Sequence, residues 1–557
     1  MGGPDQRAYR GAGDGDRLDA GLHKGLDDPD MRPAARGPAA QRQPDPVLRH
    51  PPRPGSRNRR RRLSCAPIFK ESRLRLKDVL VFGVCVLRFS AASTAGRVLP
   101  AAMAAWLRPV LERIDAALFA ADERGESGRA SLVAFAIRIA SAAIAFVSQV
   151  VMARWMGGFE YGIFVLVWTV MIMVGDSSCF GVQTSVVRFI PEYREHGRRG
   201  ELRGIIRAAQ VFVLVASCLV AAAGLAGVWL FSDALESYYV LPFYLALSCL
   251  PLIALSTLLE GMARANGWTV VALAPIYILR PLLILAAMAG AIVLDYEPSA
   301  KVAIVCAIVA CLLTTLYQLF SVVPPLNAEV RDEPARLRIR DWVVVSAPIF
   351  LVDSFFYLHT NADILMVGWY MQPEDVAVYF AALKLLALVH FVYFAVRAGV
   401  AQRYAQYAHG GGRDRLADFA RDTVAWTFWP SLAMALVIVV LGKPLLSLFG
   451  EGFGAGYPLL LALMLGVVLR ASIGPAETLL TMSGYQKLCA GVFAATLAVN
   501  VGLNLVLIPR WGLWGAAVAS ALSLAFETLL LAVAVRSRLG IVMIVPLGGR
   551  NRKEVLP

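Results

Sequence analysis

The sequence predicts an all-α integral membrane protein of about twelve transmembrane helices, arranged as two six-helix lobes related by internal duplication. Three observations predict it. Between residues 132 and 535 the chain strings together twelve apolar stretches of roughly twenty residues each, long enough to cross the ~30 Å hydrocarbon core as helices. Basic residues crowd into alternate loops between these stretches, and landmarks of the first half recur in the second. Helix is the required conformation, because only bonds within the segment satisfy every backbone N–H and C=O where water is absent.

Composition agrees with a membrane protein. Hydrophobic residues make up 58% of the chain, charged residues 17%, and mean hydropathy is +0.60, which excludes an ordinary soluble domain. Eight cysteines (Cys65, Cys85, Cys179, Cys218, Cys249, Cys306, Cys311 and Cys489) lie in apolar stretches or in the N-terminal extension. With no Cys-x-x-Cys and no histidine at ligand spacing, neither a disulfide framework nor a metal site is expected.

Taken in order, residues 1–130 fall outside the apolar pattern. They are rich in Asp, Gly, Pro and Arg, include the run Arg59–Arg62, and hold one apolar stretch, 78–88, too short to span. The expectation is a disordered basic extension, with Met103 as an alternative start. A short amphipathic helix over 104–120 would then place Trp106, Val110, Ile114 and Leu118 on one membrane-facing side.

The spans follow at 132–154, 164–188, 208–231, 241–262, 270–293, 302–323, 343–368, 376–400, 423–447, 457–481, 488–508 and 513–535. Residues 131–323 form the first lobe, 324–342 a linker, 343–535 the second lobe and 536–557 a basic tail. Arg194, Arg198, Arg199, Arg203 and Arg207 follow span 2; Arg331, Arg336, Arg338 and Arg340 follow span 6; Arg403, Arg413, Arg415 and Arg421 follow span 8. The tail adds Arg536, Arg538, Arg550, Arg552 and Lys553. The opposite loops 232–240, 295–301 and 369–375 hold Asp233, Glu236, Asp295, Glu297, Glu374 and Asp375 against a lone Lys301. The positive-inside rule places both termini in the cytoplasm, and the net charge of +14 speaks for this orientation and for anionic headgroups rather than for nucleic acid.

Duplication rests on three landmarks displaced by about 210 to 218 residues. Gly157, Tyr161 and Phe164 answer Gly368, Tyr379 and Phe380; Arg188 at the end of span 2 and His196 beyond it answer Arg397 near the end of span 8 and His409 beyond it; RANGW (264–268) answers MSGYQ (482–486). Six spans per repeat is an even number, so both halves insert the same way round and are related by an axis along the membrane normal. Two bundles so related suit alternating access about a site between them, which makes transport the leading class of function.

The stretch 130–535 resembles the MOP superfamily of multidrug, oligosaccharidyl-lipid and polysaccharide exporters, and within it the polysaccharide-biosynthesis flippases. The likeness is carried by ARWMGGFEYGIF (153–164), RFIPEY (188–193), ADILMVGWYMQPEDVAVYFAA (362–382), LLSLFGEGFGAGYPLL (445–460) and LNLVLIPRWGLWGAAVAS (503–520). It implies a MATE-like pair of six-helix lobes around a central cavity, in a bacterial inner membrane. The implied substrate is a lipid-linked oligosaccharide turned from the cytoplasmic to the periplasmic leaflet, with other polysaccharide-assembly proteins as partners.

Charges inside spans cost at least ~2.5 kcal/mol each on insertion scales, so those near mid-span face a cavity or a partner. A prenyl pyrophosphate needs fixed cations in a low-dielectric cavity, and Arg138, Arg280, Lys384, Arg397 and Arg470 are the candidates. Asp353, Asp363 and Glu477 are the candidates for coupling to a proton or sodium ion, the only small species the reading calls for besides the substrate. Asp353 and Asp363 fall on roughly one face of span 7; His359 and His390 are relay candidates, and Asp176 and Glu527 further intramembrane acids. Pro281, next to Arg280, is expected to break span 5 locally. Asn500 and Asn504, one turn apart, are expected to bond across helices.

Two other functions compete. A membrane enzyme would need a long external loop carrying an acid/base or nucleophile constellation, whereas loops on the external side run to about ten residues and hold no histidine. No enzyme activity is therefore expected. A cation-coupled multidrug antiporter of the same fold is the nearer alternative; it would want a cavity dominated by acids. The G-x-G near Gly452 is too weak for a nucleotide loop, so energy must come from a gradient or the membrane potential.

Overall fold

The computed structural model describes residues 123–330, 333–409 and 413–545, all within one compact unit, Arg88–Pro557. The extension up to residue 122, with its amphipathic helix at 104–120, lies outside the described residues, as does the tail beyond residue 545. Among the described residues all regular structure is helical. The first half comprises α1 (Glu123–Ser177), α2 (Val182–Glu195), α3 (Arg199–Leu230), α4 (Ser237–Ser248), α5 (Leu250–Ala265), α6 (Thr269–Ala274), a π-helical turn (Pro275–Leu279), α7 (Arg280–Val293) and α8 (Ala300–Glu329). The second comprises α9 (Ile339–Tyr370), α10 (Pro373–His409), α11 (Arg413–Ser447), a 3-10 turn (Phe453–Gly456), α12 (Tyr457–Ala471), α13 (Ala476–Met482), α14 (Gln486–Trp511) and α15 (Leu513–Leu539).

Ten of these helical stretches are long and apolar enough to cross a membrane, and eleven when the bent pair α4 and α5 counts as one span. The first stretch, Ala140–Glu195, is itself two spans. Its Gly157 is non-helical, at φ 74 and ψ 171, and the Tyr161 hydroxyl donates to Gln149 Oε1 at 2.8 Å. Twelve residues of unbroken helix would set those two about 18 Å apart along the axis, so the chain folds back at Gly157. The protein is thus a multi-pass membrane protein, helical throughout its described spans.

Helix ends run past the apolar stretches. α3 begins at Arg199 and α10 continues to His409, because hydropathy marks only the lipid-facing part of a helix whose polar turns continue beyond it. Breaks inside spans have local causes. Residues 178–181 interrupt the second span where Phe180 (φ 48) and Gly181 (φ 77) turn left-handed; a Cβ on Gly181 would overlap the Ser346 carbonyl, so this glycine lets α9 cross α2 closely. α4 and α5 meet at 45°, with Pro251 in the first turn of α5 removing an N–H. In span 5 the irregularity sits one turn before Pro281: the Arg280 N–H reaches back to the Pro275 carbonyl, and Pro281 has no N–H to offer the next one.

Three apolar clusters form the core. One centres on Ile190, Leu202 and Leu258 of the first half and takes in Trp342 of α9, one lies within the second around Tyr404, Leu480 and Leu531, and the largest joins the halves around Tyr161, Phe164, Tyr379 and Phe449. At this junction Arg154 Nε donates to the Leu448 carbonyl at 2.6 Å. Gly162 lies so close to Pro373 that a Cβ would overlap the Pro373 carbonyl oxygen.

Candidate functional site

The polar interior is organised by α9, which touches both halves. Toward the first half, the Trp342 indole donates to the Tyr193 hydroxyl at 3.0 Å, Ser346 to Ser185 at 2.8 Å, and Thr184 to Asp353 Oδ2 at 3.2 Å. Tyr357 reaches the Asp176 carboxylate from the same side. Toward the second half, His359 Nε2 lies 3.2 Å from Glu527 Oε2. Asp363 accepts from Asn500 at 2.8 Å, Asn504 at 3.0 Å and Ser520 at 2.5 Å. Asp353 and Asp363 therefore serve different halves, since ten residues leave two side chains about 80° apart around a helix.

Within the first half, Arg280 is buried and its Nη2 donates to Ser256 at 2.8 Å, while Ser256 donates to Gln318 Oε1 at 2.5 Å. Arg280 Nε and Gln318 Nε2 are buried without an acceptor. Nearby, Thr257 donates to Asp176 Oδ1 at 2.7 Å. The Arg280 guanidinium thus keeps donor capacity that this lobe does not use.

In the second half, all three nitrogens of the Arg470 guanidinium are engaged. Its Nε donates to Glu527 at 2.7 Å, its Nη2 to Glu477 at 2.5 Å and its Nη1 to the Gly474 carbonyl at 3.1 Å. The Tyr393 hydroxyl and Thr478 close the other oxygen of Glu477. Gly474, at φ 57 in the break before α13, turns its carbonyl onto the guanidinium.

The remaining candidates are spread along α10. Lys384 Nζ sits 4.3 Å from the Phe380 ring centroid, at the junction of the halves. Arg397 is exposed, as is Arg188 of the first half, whose nearest carboxylate is Glu192 one turn on at 3.5 Å. The side chain of Arg138 lies outside the described residues. Two apolar cavities of about 370 and 250 Å3 share Val174 and Val220 along spans 2 and 3. Neither is lined by a charged residue, so neither is a seat for an anionic head.

Sequence reasoning did not flag Ser256, Thr257, Gln318, Tyr357, Tyr393 or Ser520, which complete these networks. A usable signal was spacing: Tyr357 lies one turn after Asp353, and Tyr393 one turn before Arg397. The Asp363 pocket yields a sharp expectation. Replacing Asp363 with alanine strands the Asn500 amide, at about 1–3 kcal/mol, while Asn504 keeps its bonds to Asn500 and Ser520 its bond to the Ala516 carbonyl, so Asp363→Ala should lower the thermal midpoint in detergent more than Asp363→Asn. Equal midpoints for the two variants would contradict this account.

Comparison with known proteins follows this geometry. The sequence profile of the family described as "Polysaccharide biosynthesis protein" matches residues 127–401, and that described as "MatE" matches residues 348–506. Among curated proteins none matches the sequence. Solved structures similar to this chain include the lipid II flippase MurJ in an inward closed conformation, at TM-score 0.57 and 13% identity over 73% of this chain and 87% of that one. An inward-facing multidrug-resistance MATE transporter of the MOP superfamily gives TM-score 0.57 and 14% identity over 73% of this chain and 94% of that one. A MOP-superfamily transporter from Pyrococcus furiosus, described as having a binding pocket of reverse polarity, gives TM-score 0.52 and 14% identity over 73% of this chain and 94% of that one. At these identities the likeness is one of fold.

Proposed function

Since the chain belongs to the MOP superfamily of exporters, we propose that it moves a polyprenyl-pyrophosphate-linked oligosaccharide or polysaccharide precursor across the bacterial inner membrane by alternating access. The observation that carries this reading is the stock of interior cations held back from ion pairs. Among the described residues Arg280 and Lys384 lie inside spans and form no ion pair with a carboxylate, Asp176 acting on Arg280 only through space, whereas Arg470 is committed to Glu477 and Glu527. Charge left unpaired at such cost is what a mobile pyrophosphate would neutralise. The polyprenyl tail stays in lipid, the glycan crosses between the lobes, and both termini face the cytoplasm with the basic loops.

Ion coupling on Asp353, Asp363 or Glu477 would supply the direction, and glycan-assembly proteins would deliver and receive the substrate. No chemical conversion and no nucleic acid enters this reading. The match of residues 348–506 to the MatE family favours a second one, a cation-coupled multidrug antiporter.

Surface polysaccharide measured in a deletion strain separates the two. Complementation by the full chain and by one beginning at Met103 should restore surface glycan and clear accumulated lipid-linked repeat units. Arg280→Ala, present in the membrane at the same level, should lower export by at least about tenfold. Full export by that variant would refute the role of Arg280, and normal glycan with altered drug tolerance in the deletion strain would establish the antiporter instead.

A further inference from the structure

The Arg470 cluster contains an odd charge. Arg470 contributes one positive charge and Glu477 and Glu527 one negative charge each, all three side chains at most 8% exposed. Glu477 accepts from Arg470, Tyr393 and Thr478, so every contact to it is a donor and it has the surroundings of an ionised carboxylate. Glu527 has one oxygen on Arg470 and the other 3.2 Å from His359 Nε2. With a neutral imidazole the group carries one uncompensated negative charge in a buried site, a state that desolvation strongly disfavours. One further proton, shared by His359 and Glu527, removes it.

The other groups around the site do not remove it. From α10, His390 lies within the field of both Arg470 and Glu527 but touches neither as an ion pair, Tyr393 borders Arg470, and Arg397 acts on Tyr393. From α14, the Cys489 thiol bonds to the Glu477 carbonyl at 3.6 Å and the Phe493 ring packs 6.4 Å from the His359 ring. Tyr404 lies within the field of Glu477. None of these brings a second cation into contact with Glu527.

We propose that the Arg470, Glu477, Glu527 and His359 cluster is a binding site for one exchangeable proton, and that this proton fastens α9 to the C-terminal lobe. His359 is the only member of the four on α9. Protonated, the pair is a charge-assisted bond between α9 and α15; deprotonated, a buried charge is relieved when α9 withdraws and water enters. The proton comes from water and returns to it, with no other bond made or broken. On the transport reading proposed above, on which its purpose rests, the site names the proton as coupling ion.

Hydrogen–deuterium exchange of the full chain in lipid nanodiscs tests this without any glycan. Exchange times are scaled to the intrinsic rate from about pH 5 to about pH 9. In the wild type, peptides covering residues 351–362 should lose protection by about tenfold in one titration step as pH rises. Glu527→Gln, neutral without the extra proton, should show no step; Glu477→Gln removes the same charge on another helix and should also be flat. Absence of a step in the wild type, or its survival in either folded variant, would overturn the proposal. The glycan-export result is independent of this one, so either reading can fail while the other stands.

Discussion

Gly162→Ala is expected to disable transport while leaving helical content intact. A methyl group at this position overlaps the Pro373 carbonyl oxygen, a backbone atom that cannot swing aside as a side chain would. The strain can be relieved only by moving α1 from the start of α10, along the junction where Arg154 reaches Leu448 and Tyr161 is fully buried. Overpacking costs about 1–3 kcal/mol, and the upper value corresponds to a shift of about a hundredfold between the closed and open forms of this end. Two measurements check it: glycan export, and labelling of a cysteine placed at Leu166, buried beside Gly368, by a bulky thiol reagent. Labelling that stays as slow as in the Leu166→Cys parent would mean that the halves repack around the methyl and that this end does not gate.

Removing Arg470 should have a larger effect on folding than any single change elsewhere in the spans. Arg470→Met leaves Glu477 and Glu527 facing one another in a dry site, and breaking a buried pair in this way costs about 3–5 kcal/mol. Folded protein recovered by size-exclusion chromatography should fall sharply. The compensated chain Arg470→Met, Glu477→Gln, Glu527→Gln should recover most of it, because no charge is then left without a partner. Failure of the compensated chain would mean that the guanidinium's hydrogen bond to the Gly474 carbonyl, and not charge balance, is what the fold requires.

The spans and the membrane class were legible because a period of roughly twenty apolar residues is imposed by bilayer thickness, independently of tertiary contacts. The breaks were only partly legible. Pro281 announced trouble in span 5, yet the deviation falls on Pro275–Leu279, since a missing N–H is felt by the carbonyls of the preceding turn. The left-handed turn at Phe180 and Gly181 carries no proline and is dictated by the approach of α9, a long-range contact that no local pattern encodes. Charged candidates could be found one by one from their cost in lipid. Their grouping could not, because whether Arg470 meets a carboxylate depends on how α12, α13 and α15 are packed, while Arg280, just as deep in its span, meets a serine.

The double allegiance of α9 bears on how the chain is made. Tyr193, Ser185, Thr184 and Asp176 find partners on Trp342, Ser346, Asp353 and Tyr357, all synthesised after the first six spans have left the ribosome. The nascent first half therefore waits in the bilayer with polar groups facing an empty seat. That seat is filled only by the seventh segment, the first of the second half to be translated and the one whose other face must then be held by helices made later.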